Sequence, residues 1–392
     1  MTTRKMTTSK KTVSDNPFKY GSVVSREAFC NRIEEIQQLE QYIQNSQSVW
    51  LFSPRRYGKT SLIKRIFNES TSVKTLYVDL YNIKSTDDFC KRYAKLIADT
   101  LFDWKDNIKT LSGKLVESFK GLKPSVMFDE NGNASFSLQA ETIHQQIDVE
   151  TILNIPNKIS IKSGQRLCIA FDEFQEIKRI DPFLINWMRS AFQFHENVSY
   201  IFLGSKQSLM ESIFSDHNSP FYEFGVKMKL NPIGKVELTK FIIERFKSRK
   251  IDIAQDIVDK ILEISEGHPH YTQFFASEVF YLIISGKDQS QPGFNNLWLT
   301  KIINGQSDIF QNIYDQLSNI QRNVLQTLTI IDDDTELYSA KTRDKYKLPT
   351  SSTLNTALNS LINKDIIVKD GLQYKLVNPI FREWLKKLSE QP

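Results

Sequence analysis

From Val49 onward, short apolar runs alternate with longer stretches whose apolar residues recur three or four apart. SVWLF precedes a helix from Thr60, TLYVDL a helix from about Thr86 to Leu101, LCIAF the stretch INWMRSAFQF, and SYIFLG a helix from Gln207. Such alternation predicts βαβ units and a parallel sheet covered on both faces, because strands buried on both sides read as continuous apolar runs. A fifth run, VKMKLNPI, closes the predicted sheet. Between Phe102 and Arg166 the rhythm breaks. There KPSVMFDENGNASFSLQA alternates on both sides of the turn-forming ENGN, which predicts a β-hairpin, and a helix follows around Val149 to Ile161. This stretch, about 103–165, reads as an insertion in the α/β domain.

After Pro232 the pattern turns helical. KVELTKFIIERFKSRK, DIVDKILEISEG and YTQFFASEVFYLIISG each carry helical spacing, with Gly267 or Gly286 near an end. From about Ile313 a helix through NIQRNVLQTLTII, a second near Ser339 to Tyr346 and a third through STLNTALNSLINKD precede DIIVKDGLQYKLVNP, a hairpin turned at Asp370 and Gly371. Three helices and a hairpin make a winged-helix pattern, finished by FREWLKKL. The expected organisation is a tail over 1–16, an α/β domain over 17–232, a helical lid domain over 233–312 and a winged-helix domain over 313–392.

Composition narrows the classes. With 392 residues and 40% hydrophobic content the chain can bury several ordinary cores, and its formal charge of +5 is small for that length. The opening MTTRKMTTSKKTVSDNPFKY lacks the apolar core of a secretory signal, and no apolar run approaches the roughly 18 residues needed to span a bilayer. Cys30, Cys90 and Cys168 are far apart, with no histidine at ligand spacing, and read as reduced thiols in a cytoplasmic protein.

The stretch LFSPRRYGKTSLIKRI carries the first candidate chemistry. It reads either as a phosphate-binding loop or as a basic turn before an amphipathic helix. In a phosphate loop, backbone N–H groups wrap the β-phosphate and the positive end of the following helix faces the anion. The spacing G-x-x-x-x-G-K-[ST] is met except at Ser53, a small residue in place of glycine. Pro54, Arg55, Arg56, Tyr57, Gly58, Lys59, Thr60 and Ser61 then form the candidate nucleotide loop. Gly58 permits close backbone approach, Lys59 reaches the β- and γ-phosphates, and the Thr60 hydroxyl is placed for Mg²⁺.

A second element, LCIAFDEFQEI, delivers Asp172 and Glu173 at the carboxyl end of a strand, where ligands of parallel sheets bind. Asp172 is expected to hold Mg²⁺ through water, and Glu173 to act as general base on the attacking water. Beyond the fourth strand, Ser205 and Lys206 either sense the γ-phosphate and orient water or form a turn and N-cap. In ISEGHPHYTQFF, Gly267 and Pro269 are explained by a turn between helices. His268 is not.

FCNRIEEIQQLEQYI, PRRYGKTSL, YVDL, IAFDEFQEI, YIFLGSKQSLM, SPFYEF, SEGHPHYTQ and LINKDIIVKDGLQYKLVNPIFREWL, in that order, resemble the archaeal-type ATPase family. That family lies within the STAND and AAA+-related P-loop ATPases, with origin-recognition ATPases as distant relatives. The resemblance runs from about Pro17 to Leu388. It implies an ATP-hydrolysing switch with a P-loop α/β fold, in which Pro269 lies against the base and His268 approaches the phosphates. The family's glycine–arginine–glutamate segment is matched here by Asn31, Arg32 and Ile33, so only Arg32 corresponds. SPFYEF ends in Phe224 where the family often has arginine; the implied cation is absent or supplied by Arg55, Arg56 or Arg189.

A winged helix raises the question of DNA. Phe310 to Pro392 holds 11 Lys+Arg against 10 Asp+Glu, and TSSTLNTALNSLIN contains no basic residue. Phosphate neutralisation supplies most non-specific affinity, so this helix should attract DNA poorly. Lys341, Arg343, Lys345 and Lys347 form the one basic cluster. Three readings stand: an ATP-driven switch with a protein partner or self-association through the helical and winged-helix domains, an origin-recognition-like DNA-binding ATPase, and a nucleotide-binding scaffold without turnover.

Overall fold

The computed structural model describes residues 15–21, 29–101, 122–128, 134–140, 149–331 and 335–390. These form two compact units. Arg32–Asn231 make one, and the described residues up to Asn31 join those from Pro232 onward in the other.

The first unit is built on a five-stranded sheet in the order β2-β5-β6-β1-β7. Its strands are β1 Val49–Phe52, β2 Lys74–Asp79, β5 Leu167–Asp172, β6 Val198–Gly204 and β7 Val226–Lys229. All neighbours pair in parallel, the fifth strand included. Every residue of β1, β5 and β6 is buried, whereas the edge strands are only partly so: β2 buries Leu76 and Val78, and β7 buries Met228 alone. That difference follows from helices covering both faces of the central strands. Phe171 of β5 and Phe202 of β6 stack with centroids 6.0 Å apart. Phe174, Phe214 and Phe221 pack around Phe202, so aromatic rings fill the space between sheet and helices. Between helix Thr86–Leu101 and helix Val149–Ser163, β3 Leu122–Phe128 and β4 Ala134–Ala140 pair antiparallel as the expected hairpin. Its turn and flanks lie outside the described residues, as do residues 1–14 of the expected tail.

A histidine fixes helix Val149–Ser163 to β6. His195 is buried, its Nδ1 2.6 Å from the Tyr200 hydroxyl and its Nε2 3.0 Å from Asn154 Oδ1. The amide oxygen can only accept, so Nε2 carries the proton and Nδ1 accepts from Tyr200. Burial lowers the His195 pKa to about 4, which keeps the ring neutral.

In the second unit, helices Lys235–Lys247, Gln255–Ser265 and Pro269–Ile284 share one hydrophobic core with the C-terminal elements. The helix Phe294–Asp315, which the pattern reading leaves out, buries Phe294, Trp298, Leu299, Ile302, Ile303 and Phe310. It runs unbroken across residue 312. Helices Asn319–Ile330, Ala340–Lys345 and Ser351–Asn363 lead to β8 Ile367–Asp370, β9 Gln373–Leu376 and the closing helix Pro379–Glu390. One detail is corrected: Asp370 still belongs to β8, paired with Gln373, so the turn is Gly371–Leu372. Gly371 takes φ 62°, which favours glycine there. Among the described residues no helix is long and apolar enough to cross a membrane.

Candidate functional site

Four adjacent strands bring candidate groups to the carboxyl edge of the sheet: β2, β5, β6 and β1. β1 ends at Phe52 and the chain turns through Ser53 and Pro54 into helix Lys59–Glu69. The turn needs two left-handed residues, Arg56 at φ 66° and Gly58 at φ 88°. A Cβ at Gly58 would meet nothing within 4 Å, so glycine is required by backbone conformation rather than by crowding, and the loop face is open. Arg55 and Arg56 are exposed, Pro54, Tyr57 and Thr60 are half-buried, and Ser61 is buried in the first helical turn.

Lys59 folds back over this loop. Its Nζ donates to the Ser53 carbonyl at 2.6 Å, to Ser53 Oγ at 3.2 Å and to the Pro54 carbonyl at 3.1 Å. The serine at the departing position therefore adds a third acceptor for the ammonium. Burial lowers the Lys59 pKa to about 8 and the Arg55 charge adds to that, against the opposing pull of Glu173 and Asp172.

Asp172, buried at the end of β5, collects three donors. Thr60 Oγ1 donates to its Oδ2 at 2.7 Å and the Glu173 amide to its Oδ1 at 2.9 Å. The Tyr77 hydroxyl, from β2, also donates to Oδ2. Burial and then the Asp172 charge push the Tyr77 phenol well above its ordinary pKa, so it keeps its proton. Glu173 adopts a left-handed backbone, φ 52°, an uncommon conformation for a side-chain-bearing residue that turns the chain sharply after the strand. Ser205 Oγ donates to Glu173 Oε2 at 3.0 Å, and Gln175 Nε2 donates to the same oxygen. The Ser205 hydroxyl thus serves Glu173, and the helix Gln207–Phe214 that follows has no side-chain cap. Tyr77 and Gln175 are absent from the sequence-based candidates. Their signal was only positional, Tyr77 lying in the strand beside β5 and Gln175 two residues beyond Glu173.

Arg32 stands at the N-terminus of helix Ile33–Gln44, which packs beside helix Lys59–Glu69. It is buried, left-handed at φ 78°, and its Nη1 pairs with Glu35 at 2.6 Å. Its Nη2 has no hydrogen-bond partner among the described residues. Arg189 is engaged elsewhere: it donates to the Pro220 carbonyl at 2.9 Å and lies 4.8 Å over the Phe224 ring.

His268 and Pro269 belong to the second unit. Gly267, at φ 74°, lies so close to Ile233 that a Cβ would come within 2.5 Å of its carbonyl. Pro269 opens helix Pro269–Ile284, and the buried His268 packs edge-on against Tyr271 at 4.6 Å. Thr272 Oγ1 bridges Ser265 Oγ at 2.9 Å and the His268 carbonyl at 3.0 Å, holding the turn.

Comparison with known proteins gives a consistent picture. The profile of an ATPase domain predominantly from Archaea matches residues 29–275, and one described as "Probable winged helix domain" matches residues 308–387. No curated protein matches the chain in sequence. Among solved structures, a Walker-type ATPase of Pyrococcus abyssi aligns at TM-score 0.62 and 18% identity, over 92% of this chain and 97% of that one. The ORC2 protein of Aeropyrum pernix, in ADPNP–ADP complexes, aligns at TM-score 0.53 and 13% identity, over 95% and 98%. At such identities the likeness establishes the fold: an α/β P-loop ATPase with a C-terminal winged helix.

Proposed function

The chain belongs to the family of ATPase domains found predominantly in Archaea, and from that premise we propose that it binds Mg²⁺-ATP at the carboxyl edge of the sheet and hydrolyses it, acting as a molecular switch of the STAND and AAA+-related type. The observation that carries the reading is the convergence of Thr60 and Asp172. They are separated by 112 positions in the chain and joined at 2.7 Å, beside the buried ammonium of Lys59.

The residues present suit such a ligand. The open face at Gly58 and the first amides of helix Lys59–Glu69, which have no intrahelical acceptors, favour an anion. A hydroxyl and a carboxylate are the hard oxygen donors that Mg²⁺ prefers. Among the described residues no group of three or more His, Cys, Asp or Glu could hold a metal, so the other ligands would be phosphate oxygens and water. Bound there, Mg²⁺-ATP supplies a γ-phosphoryl group open to attack by water.

Within this reading Lys59 exchanges its loop carbonyls for phosphate oxygens. Thr60 offers its lone pair to the cation while still donating its proton to Asp172. Glu173 accepts the proton of the attacking water, and Ser205 and Gln175, both on Oε2, fix the rotation of its carboxylate. Arg32, His268 and Pro269 are assigned to the nucleotide by resemblance alone. Glu173→Gln tests the scheme: it should bind ATP as wild type does and release phosphate about 10²–10⁴ times more slowly. Unchanged turnover would remove Glu173 from the role of base, and wild-type protein without phosphate release above background would leave a nucleotide-binding scaffold.

A further inference from the structure

Asp172 accepts from three donors, and they are not equivalent. Thr60 has a second duty, because its oxygen also faces the cation in the reading above. The Glu173 amide belongs to a residue in a left-handed conformation, at the point where the strand gives way to a turn. Tyr77 differs from both. It sits inside β2, paired in register with Ala170 of β5, two residues before the Asp79–Asp172 pair. Lys64 Nζ, from helix Lys59–Glu69, lies 4.9 Å from the centroid of its ring and covers that side. The hydroxyl is thus held by the sheet, and it donates to Oδ2, the oxygen that also accepts from Thr60.

We propose that Tyr77 is a positioning residue for cation binding: its hydroxyl fixes the Asp172 carboxylate in the orientation that a divalent cation bound with nucleotide requires. This rests on the Mg²⁺-ATP reading. Hydrogen bonds to an ionised acceptor are short and strong, and a group that orients a metal-ligating carboxylate typically controls 10- to 100-fold in metal affinity. A merely structural tyrosine, satisfying a buried acceptor, would affect folding and would not distinguish nucleotide with cation from nucleotide alone.

Tyr77→Phe keeps the ring and its contact with Lys64 and removes the one hydroxyl. ATP affinity is measured across a Mg²⁺ titration and again in EDTA, with thermal unfolding followed in parallel. The Mg²⁺ concentration at half-effect should rise about tenfold, while affinity in EDTA stays within about twofold of wild type. In an Asp172→Asn background the same substitution should shift the Mg²⁺ midpoint no further, which isolates the pair. An unchanged midpoint, an equal loss of affinity in EDTA, or a full further shift in the Asp172→Asn background would each overturn the role of Tyr77. Wild-type protein whose ATP affinity ignores Mg²⁺ would overturn the underlying reading as well, so the two failures are told apart by the wild-type titration.

Discussion

The two units bury polar groups of different kinds. In the sheet unit Arg32, Lys59 and Asp172 are buried with their charge, two of them at the carboxyl edge. In the second unit the buried polar side chains among the described residues are Ser265, His268, Thr272, Gln273, Ser277, Thr327 and Thr342, none of them an acid, a lysine or an arginine. Burying an ion costs several kcal/mol even after relaxation, whereas a hydroxyl bonded to a nearby carbonyl costs little. The second unit uses its polar groups for local order: Ser318 and Gln321 close a capping box, Ser339 caps helix Ala340–Lys345, and Thr272 holds the turn at His268. The contrast is one of charge: ionisable acid and base side chains are buried in the sheet unit, while the second unit buries hydroxyls, one amide and one imidazole.

The largest test of that contrast uses a buried group that serves structure in the sheet unit. His195 has its pKa lowered to about 4 in the folded protein, against an ordinary value of 6.5. Between these values the unfolded chain binds the proton more readily, so stability is complete above pH 6.5 and falls as pH drops toward 4. The expected loss across that window is about 3 kcal/mol, read by denaturant titration of the sheet unit. His195→Gln should remove this step, and an unchanged pH slope in the variant would show that the imidazole is not the cause.

A smaller effect belongs to the site itself. With its pKa lowered to about 8, Lys59 is an ammonium below that pH and loses its proton above it. Affinity for an anionic ligand should therefore hold steady below pH 8 and weaken above it, by up to about tenfold per pH unit. Lys59→Arg, permanently charged, should lack this alkaline limb. An identical limb in both proteins would place the titration elsewhere.

The smallest expected signal comes from the second unit with duplex DNA. Helix Ser351–Asn363 carries no Lys or Arg, and Lys345 is turned onto the Tyr346 ring at 4.8 Å. Binding at low salt should be no tighter than about 10⁻⁵ M, with a shallow salt dependence. Tight binding that falls steeply with salt would erase the difference between the units and revive an origin-recognition-like role.

Much of the architecture could be read from the chain because its physics is local. Continuous apolar runs mark strands covered on both faces, and G-K-T after such a run marks where a helix must begin. The long helix Phe294–Asp315 escaped because the polar run NGQSD, with Gly305, interrupts its apolar spacing, although its anchors from Phe294 to Ile303 do recur at helical intervals. The hairpin turn shifted by one residue because Asp370 and Gly371 both suit a turn, and only pairing across the strands decides between them. At the candidate site, the motif and the strand end single out Lys59, Thr60, Asp172 and Glu173, and the structure brings Thr60 against Asp172. Tyr77 and Gln175 are not singled out, because their partners come from strand register and from a turn after β5, which no local pattern encodes.

In the proposed function, the buried ammonium of Lys59 meets the nucleotide phosphates. Titrating Mg²⁺-ATP into wild type and into Lys59→Ala by calorimetry tests it most directly. Removing one partner of a buried charge pair costs roughly 2–5 kcal/mol, so the variant should bind at least about 30-fold more weakly. Equal affinity in the two proteins would contradict the account.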